Sequence, residues 1–336
     1  MRGAFVLLVI GLAASPLQAQ PSGLSVDRVG LTVANADRAI PFYRDVLSFR
    51  VVADTVVHHP DVSRLLGVFG ARVRVVTLRL GQEELALYDF LSPDGRPRPP
   101  DAKSNDHTFQ HVAIIVRDMD AAYERLQAHG VTHVSPSPQR LPDWNPNAGG
   151  IEAFYFEDPS GNTLEILHFP PDKGAERWHQ AADRLFLGID HTAIVVADTD
   201  ASRSFYQDAL GFAVAGRSTN YGPEQERLNR VFGVRLRITA LRAPGGGIGI
   251  ELLDYQSPST GRPFPVDTQS NDAWHWHIRL HAPAADALAR TLLADGHSFV
   301  SPGALSFTTP VLGMTAGAML RDPTGHALLL AAPPTR

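Results

Sequence analysis

The chain has 336 residues, more than one ordinary domain and enough for two with separate cores. Its formal net charge is −5 and no basic block interrupts it, which excludes the electrostatic footprint of a nucleic-acid binder and leaves a small-molecule partner open. Cysteine is absent, so disulfides and thiol chemistry are excluded and any metal ligand has to be His, Asp or Glu.

Residues 1–19 read as a secretory signal: Arg2, an apolar run over 4–14, then the exit Pro16-Leu17-Gln18-Ala19. The run is shorter than the roughly 20 residues that cross a bilayer, so a secreted or periplasmic protein with no membrane span is expected. A first strand is predicted over 28–33. It leads into a helix over 37–46, where Ala39, Phe42, Tyr43 and Val46 recur at helical spacing, and then into β-rich runs over 73–80 and 84–90. The unit begins again with a strand over 111–116, a helix over 119–129 and short strands over 153–156 and 163–168. A polar stretch, 170–187, precedes another strand over 191–196.

That last strand opens a second copy of the whole series. Ile189-Asp190-His191 matches Val26-Asp27-Arg28, Phe205-Tyr206 matches Phe42-Tyr43, and Val231-Phe232-Gly233 matches Val68-Phe69-Gly70. Further on, Ser270-Asn271-Asp272 answers Ser104-Asn105-Asp106, His277 answers His111, and Asp322-Pro323-Thr324-Gly325 answers Asp158-Pro159-Ser160-Gly161. The expected fold is α+β, a βαβββ module used four times, in two domains at 24–169 and 188–333 with a linker at 170–187.

The His-led strand at 191, the run Phe205-Tyr206 followed by Leu210-Gly211-Phe212, and the hairpin Asp158-Pro159-Ser160-Gly161 followed by Glu165 resemble the vicinal oxygen chelate (VOC) superfamily. Glyoxalase I, the extradiol dioxygenases, methylmalonyl-CoA epimerase and the bleomycin and fosfomycin resistance proteins are members. The resemblance covers nearly the whole mature chain. It implies that pairs of modules curl into incompletely closed eight-stranded barrels, with metal ligands on the first and last strand of each module.

Taking consecutive modules as partners, the resemblance implies that His191, Glu251 and His277 bind one divalent ion in the second domain, with Leu329 at the fourth position. The first domain is then a degenerate site in which Arg28 stands beside His111 and Glu165, with Ala86 as the fourth residue, and no metal is expected there. Iron, manganese, zinc, nickel and cobalt are not distinguished by this donor set. Three ligands leave three exchangeable positions. The expectation is therefore a mononuclear enzyme chelating a small substrate through vicinal oxygens, with dioxygenase-like chemistry ahead of glyoxalase- or epimerase-type lyase or isomerase chemistry. A non-catalytic small-molecule binder like the bleomycin resistance proteins is the alternative. His275 is a candidate acid or base, and Tyr221, in a polar loop with Asn220, Glu224 and Gln225, is a candidate catalytic residue closing the mouth. The competing reading makes His191 and His277 hydrogen-bonded strand-start residues only. Assembly into homo-oligomers is left open.

Overall fold

The computed structural model describes residues 23–180 and 183–334, so the signal reading at 1–19 lies outside the described residues. The first module supplies strands β1 (Ser25–Val33), β2 (Arg50–His58), β3 (Arg72–Leu80) and β4 (Glu83–Ser92), with helices α1 (Ala36–Pro41) and α2 (Pro60–Leu66). The second supplies β5 (Gln110–Val116), α3 (Met119–Ala128), the two-residue strands β6 (Thr132–His133) and β7 (Gln139–Arg140), β8 (Glu152–Glu157) and β9 (Thr163–His168). The third has β10 (Phe186–Val195), α4 (Thr199–Ser204), β11 (Ala213–Tyr221), α5 (Pro223–Asn229), β12 (Arg235–Arg242) and β13 (Gly249–Ser257). The fourth has β14 (Trp276–His281), α6 (Ala285–Ala294), β15 (Leu305–Val311), β16 (Met314–Arg321) and β17 (Ala327–Ala332). No helix among the described residues is long and apolar enough to cross a membrane.

The helix starts follow from local chemistry. Asn35, Asp118 and Asp198 each accept a hydrogen bond from backbone amides of the first turn they precede, satisfying donors that the helix itself cannot. Each of these residues lies two or three positions past the end of a strand, in the short turn between it and the helix.

Strand order departs from the chain-order expectation. One curled sheet runs β15-β16-β17-β14-β1-β4-β3-β2 and the other runs β11-β12-β13-β10-β5-β9-β8-β6, with β7 on β8. The first and fourth modules therefore share a sheet, and the second and third share the other. The expectation that each half of the chain closes its own barrel is corrected by this order.

Two crossover segments, 93–109 and 258–275, carry the chain between the sheets and grip one another. Asp272 accepts from the Arg96 backbone amide at 3.0 Å and from its guanidinium at 2.7 Å. Asp106 accepts from the Arg262 amide at 2.9 Å and from its guanidinium at 2.6 Å. Backbone bonds Ala273 to Arg96 (2.9 Å) and His107 to Arg262 (2.8 Å) complete a matched pair of clasps. Each clasp ties together the two modules that share a sheet. The Ser-Asn-Asp repeat seen in sequence is half of this device.

Gly95 and Gly261 permit the close approach, because a Cβ on either would run into the carbonyl of Asn271 or Asn105. Gly95→Ala should cost about 1–3 kcal/mol by forcing two backbones apart. Gly216→Ala, where a Cβ meets open space, should stay within about 0.5 kcal/mol. Denaturant midpoints of the two variants check this, and equal midpoints would remove the clasp from the account.

Alternation along the strands divides the core. Val29, Leu31, Ile114, Ile194, Ile278 and Leu328 belong to one apolar layer that joins both sheets to the helices. On the concave side of the first sheet, Leu65, Val73, Phe90, Phe307, Met319 and Leu329 form a filled core. The concave side of the second sheet holds a smaller cluster around Phe109, Tyr155, Leu228 and Tyr255, and it leaves room for a cavity.

Candidate metal centre

Strands β13, β10, β5 and β9 lie side by side in the middle of the second sheet. Register places His191 opposite Ala113 and His111 opposite Ala193 across the antiparallel β10/β5 pair. Glu165 pairs with Ala113 from β9, and Glu251 with Ala193 from β13. Residues two apart on a strand share a face, so these four side chains meet on the concave side in the order Glu251, His191, His111, Glu165.

His111 Nε2 is 3.2 Å from Glu165 Oε2, His191 Nε2 is 3.7 Å from the same oxygen, and His191 Nε2 is 3.4 Å from Glu251 Oε2. One atom each from His111, Glu165 and His191 lies within 4.8 Å of the others. All three residues are buried, and Glu251 is more open. Neither ring nitrogen of His111 has a hydrogen-bond partner, although one stands beside a carboxylate. Buried imidazole nitrogens without partners are costly, and nitrogen and oxygen donors aimed at a common point rather than at each other are the arrangement a cation repairs. His111, Glu165 and His191 fit a divalent ion, and Glu251 stands beside them, 3.4 Å from His191.

Electrostatics point the same way. Burial works against charge on His191, but Glu251, Asp190 and Glu165 outweigh it and push its imidazole up to about 9. Without a metal, the carboxylates hold a proton on His191 as their counter-charge. Behind it stands Asp190, whose Oδ2 is 3.0 Å from His191 Nδ1. Asp190 also accepts from Trp178 Nε1 at 3.1 Å and from the Arg242 guanidinium at 3.2 Å. Burial opposes ionisation of Asp190, and its bonds to His191 and Arg242 hold it well below the usual carboxylate range regardless.

A carboxylate on Nδ1 fixes the ring so that Nε2 faces the cluster. Asp190→Asn should weaken metal binding about 10- to 100-fold, read as a competitive chelator titration. Unchanged affinity would show that the ring is held by packing alone. Sequence reading passed over Asp190, though its repeat partner Asp27 stood in the matched segment. Its position at a register shift between Ile189 and His191 is what brings two successive side chains to one site.

The remaining expected residues lie elsewhere. His277 belongs to the first sheet, opposite Gly30, with its ring 4.7 Å from Tyr88. Burial, Arg279 and Arg28 push it down to about 3. It does not join His191 and Glu251, because β14 pairs with β1 and not with the third module. Arg28 likewise does not reach His111 or Glu165 and forms an ion pair with Glu84. The first sheet thus brings together Arg28, Ala86, His277 and Leu329 as the degenerate set, while the second brings together all four acid and imidazole residues. His275 is buried beside His277 with both ring nitrogens unpartnered, in the other sheet from the cluster. Tyr221 ends β11, exposed, with its ring 4.3 Å from that of Trp144 at a tilt of 30°, and it is not on the cavity lining. Glu224 and Gln225 fall in α5 rather than in a loop.

The cavity over the cluster is about 330 Å³. Leu141, Ile151, Leu167 and Leu253 form apolar wall, Asn220 and Gln225 polar wall, and Tyr155 packs its ring 4.8 Å from His111.

The family described as Glyoxalase/Bleomycin resistance protein/Dioxygenase superfamily matches residues 25–166 and again 188–330. A 2-epi-5-epi-valiolone epimerase from an Actinomyces species is 33% identical over 172 residues, which is 49% of this chain and 90% of that protein. An iron-dependent extradiol dioxygenase from Rhodococcus jostii (strain RHA1) is 31% identical over 103 residues, 28% of this chain and 31% of that protein. Among solved structures, glyoxalase I from Zea mays superposes with a TM-score of 0.59 over 92% of both chains at 15% identity, a likeness of fold.

Proposed function

Because the chain belongs to the glyoxalase, bleomycin resistance protein and dioxygenase superfamily, we propose that it is a metal-dependent enzyme that moves a proton at a carbon next to a chelated oxygen, as an epimerase, isomerase or lyase does. His111, Glu165, His191 and Glu251 would hold one divalent ion. When bound, that ion supplies Lewis acidity toward a substrate oxygen, which makes the neighbouring C–H more acidic.

The chain's own groups do the rest. Leu141, Ile151 and Leu253 give the cavity an apolar side against which a substrate carbon can rest. Glu165 and Glu251 flank the imidazole pair from opposite sides. One group acts as carboxylate and takes a proton from one face of the substrate carbon. The other starts as the carboxylic acid and gives its own proton to the opposite face, so that the two exchange protonation states in each turnover. The observation that carries this reading is the presence of two carboxylates in the cluster, one more than the sequence reading placed there. Similarity to an epimerase over about half the chain supports it.

The dioxygenase reading had stood on Leu329 vacating a ligand position, and Leu329 lies in the other sheet. Its remaining support is the shorter similarity to the Rhodococcus protein.

Deuterium incorporation from heavy water into a hydroxyketone tests the proposal. The metal-loaded protein should exchange the hydrogen next to the carbonyl with or without oxygen, and Glu165→Gln and Glu251→Gln should each slow exchange by about 10²- to 10⁴-fold. Turnover that consumes oxygen and stops without it would overturn proton transfer in favour of oxygenation.

A further inference from the structure

One wall of the cavity is built from a continuous run of buried amides. Asn145 Nδ2 donates to Asn220 Oδ1 at 2.8 Å, Asn220 Nδ2 to Gln225 Oε1 at 3.0 Å, Gln225 Nε2 to Asn229 Oδ1, and Asn229 Nδ2 to the Tyr255 hydroxyl at 2.5 Å. All five residues are buried. Asn145 comes from the segment between β7 and β8, at the opposite edge of the sheet from β11. Asn147, two residues on, donates to the Arg217 carbonyl of β11 at 2.7 Å, which pins that segment across the gap.

Every member of the run points its dipole the same way, so each bond strengthens its neighbours and no side chain is free to turn. Asn220 and Gln225 line the cavity. An amide nitrogen carries two hydrogens, and the run uses one from each of these two residues. A second N–H on each is therefore held in a fixed direction in the cavity wall. Such a wall is costly beside an apolar ligand, which would leave those donors unpaired. The amide run itself is uncharged, and of the two guanidinium groups on the cavity lining Arg242 is bound to Asp190 while Arg217 is exposed to solvent.

We propose that the amide wall of Asn220 and Gln225 reads the hydroxyl groups of a neutral, polyhydroxylated carbonyl compound held over the cluster. The inference rests on the proton-transfer reading for the carbonyl, whereas the hydroxyl preference comes from the wall alone. Asn145, Asn229 and Tyr255 act as positioning residues for the two that touch the ligand.

The test is a set of NMR titrations of the ¹⁵N-labelled, metal-loaded protein with erythrulose, fructose, 2-butanone and catechol, following the side-chain amide signals. The hydroxylated ketones should shift the Asn220 and Gln225 amides and bind at least about tenfold more tightly than 2-butanone, the worth of two neutral hydrogen bonds. Gln225→Met, of similar volume, should erase about half that preference on a logarithmic scale with the metal content unchanged. Tighter binding of 2-butanone or catechol, or no response to either hydroxylated ketone, overturns the inference. Metal content measured on the same samples separates the two readings: full loading with no hydroxyl preference sinks the wall alone, and hydroxyl preference without metal sinks the proton-transfer reading alone.

Discussion

His111→Ala and Glu165→Ala should each lose bound metal, with affinity falling by more than about 100-fold, while His277→Ala keeps its full content. The lower bound is the effect of removing groups that only support a ligand, and these variants remove the proposed ligands themselves. Glu165 is the more informative of the two, since its Oε2 stands 3.2 Å from His111 and 3.7 Å from His191, and its loss breaks both halves of the cluster. His277 sits against Tyr88 under β1, where its ring occupies the space that a side chain at Gly30 would need. Its removal leaves a hole in the first sheet and touches no ligand. Elemental analysis of purified variants decides the matter, and loss of metal from His277→Ala with retention in His111→Ala would return the site to the chain-order pairing.

Asp272→Ala should lower the free energy of unfolding by about 3 kcal/mol, the order expected when one partner of a buried, hydrogen-bonded ion pair is removed. Asp272 is buried while Arg96 is about half exposed, so most of the loss comes from the four orphaned donors around the carboxylate rather than from Coulomb attraction. The effect depends on pH in a definite direction. Burial would raise the carboxyls of Asp272 and Asp106, but hydrogen bonds from Arg96 and Arg262 outweigh it and hold both below their ordinary value. A lowered carboxylate contributes stability that is complete above its unfolded value, about 3.9, and lost as pH falls through the folded one. The gap between wild type and Asp272→Asn should be widest near neutrality and close toward pH 2. Asp27 and Asp158, whose carboxyls burial raises, give an opposite slope, but they are common to both proteins and cancel in the difference. A constant gap from pH 2 to pH 7, measured by denaturant unfolding, would remove ionisation of the clasp as its cause.

Much of this was readable from residues alone. Module count, helix positions and the internal repeat follow from local periodicity and turn chemistry, which single segments carry in themselves. His111, Glu165, His191 and Glu251 were each singled out as inward-facing, because strand alternation fixes which residue of each strand faces inward, but they were divided between an expected metal site and an expected degenerate one. What sequence did not contain was the partnership of modules. His191 with His277 and His191 with His111 are equally good on strand pattern, and the choice is made by crossovers 93–109 and 258–275 gripping through Arg96, Asp272, Arg262 and Asp106. Neither crossover has a periodicity that announces its partner. Asp190 was missed for a related reason: its side chain reaches the site only because the ladder slips by one residue beside it.

The nested strand order also sets a timetable for synthesis. By the time β13 leaves the ribosome, every strand of the second sheet has emerged and the His-Glu cluster has all its members. The first sheet still waits, with β1 paired to β4 but lacking its second neighbour until β14 arrives, and the far edge unfinished until β17. A chain cut short anywhere in the last module therefore has every residue of the cluster but carries a bare strand edge, the kind of surface on which nascent proteins stick to one another.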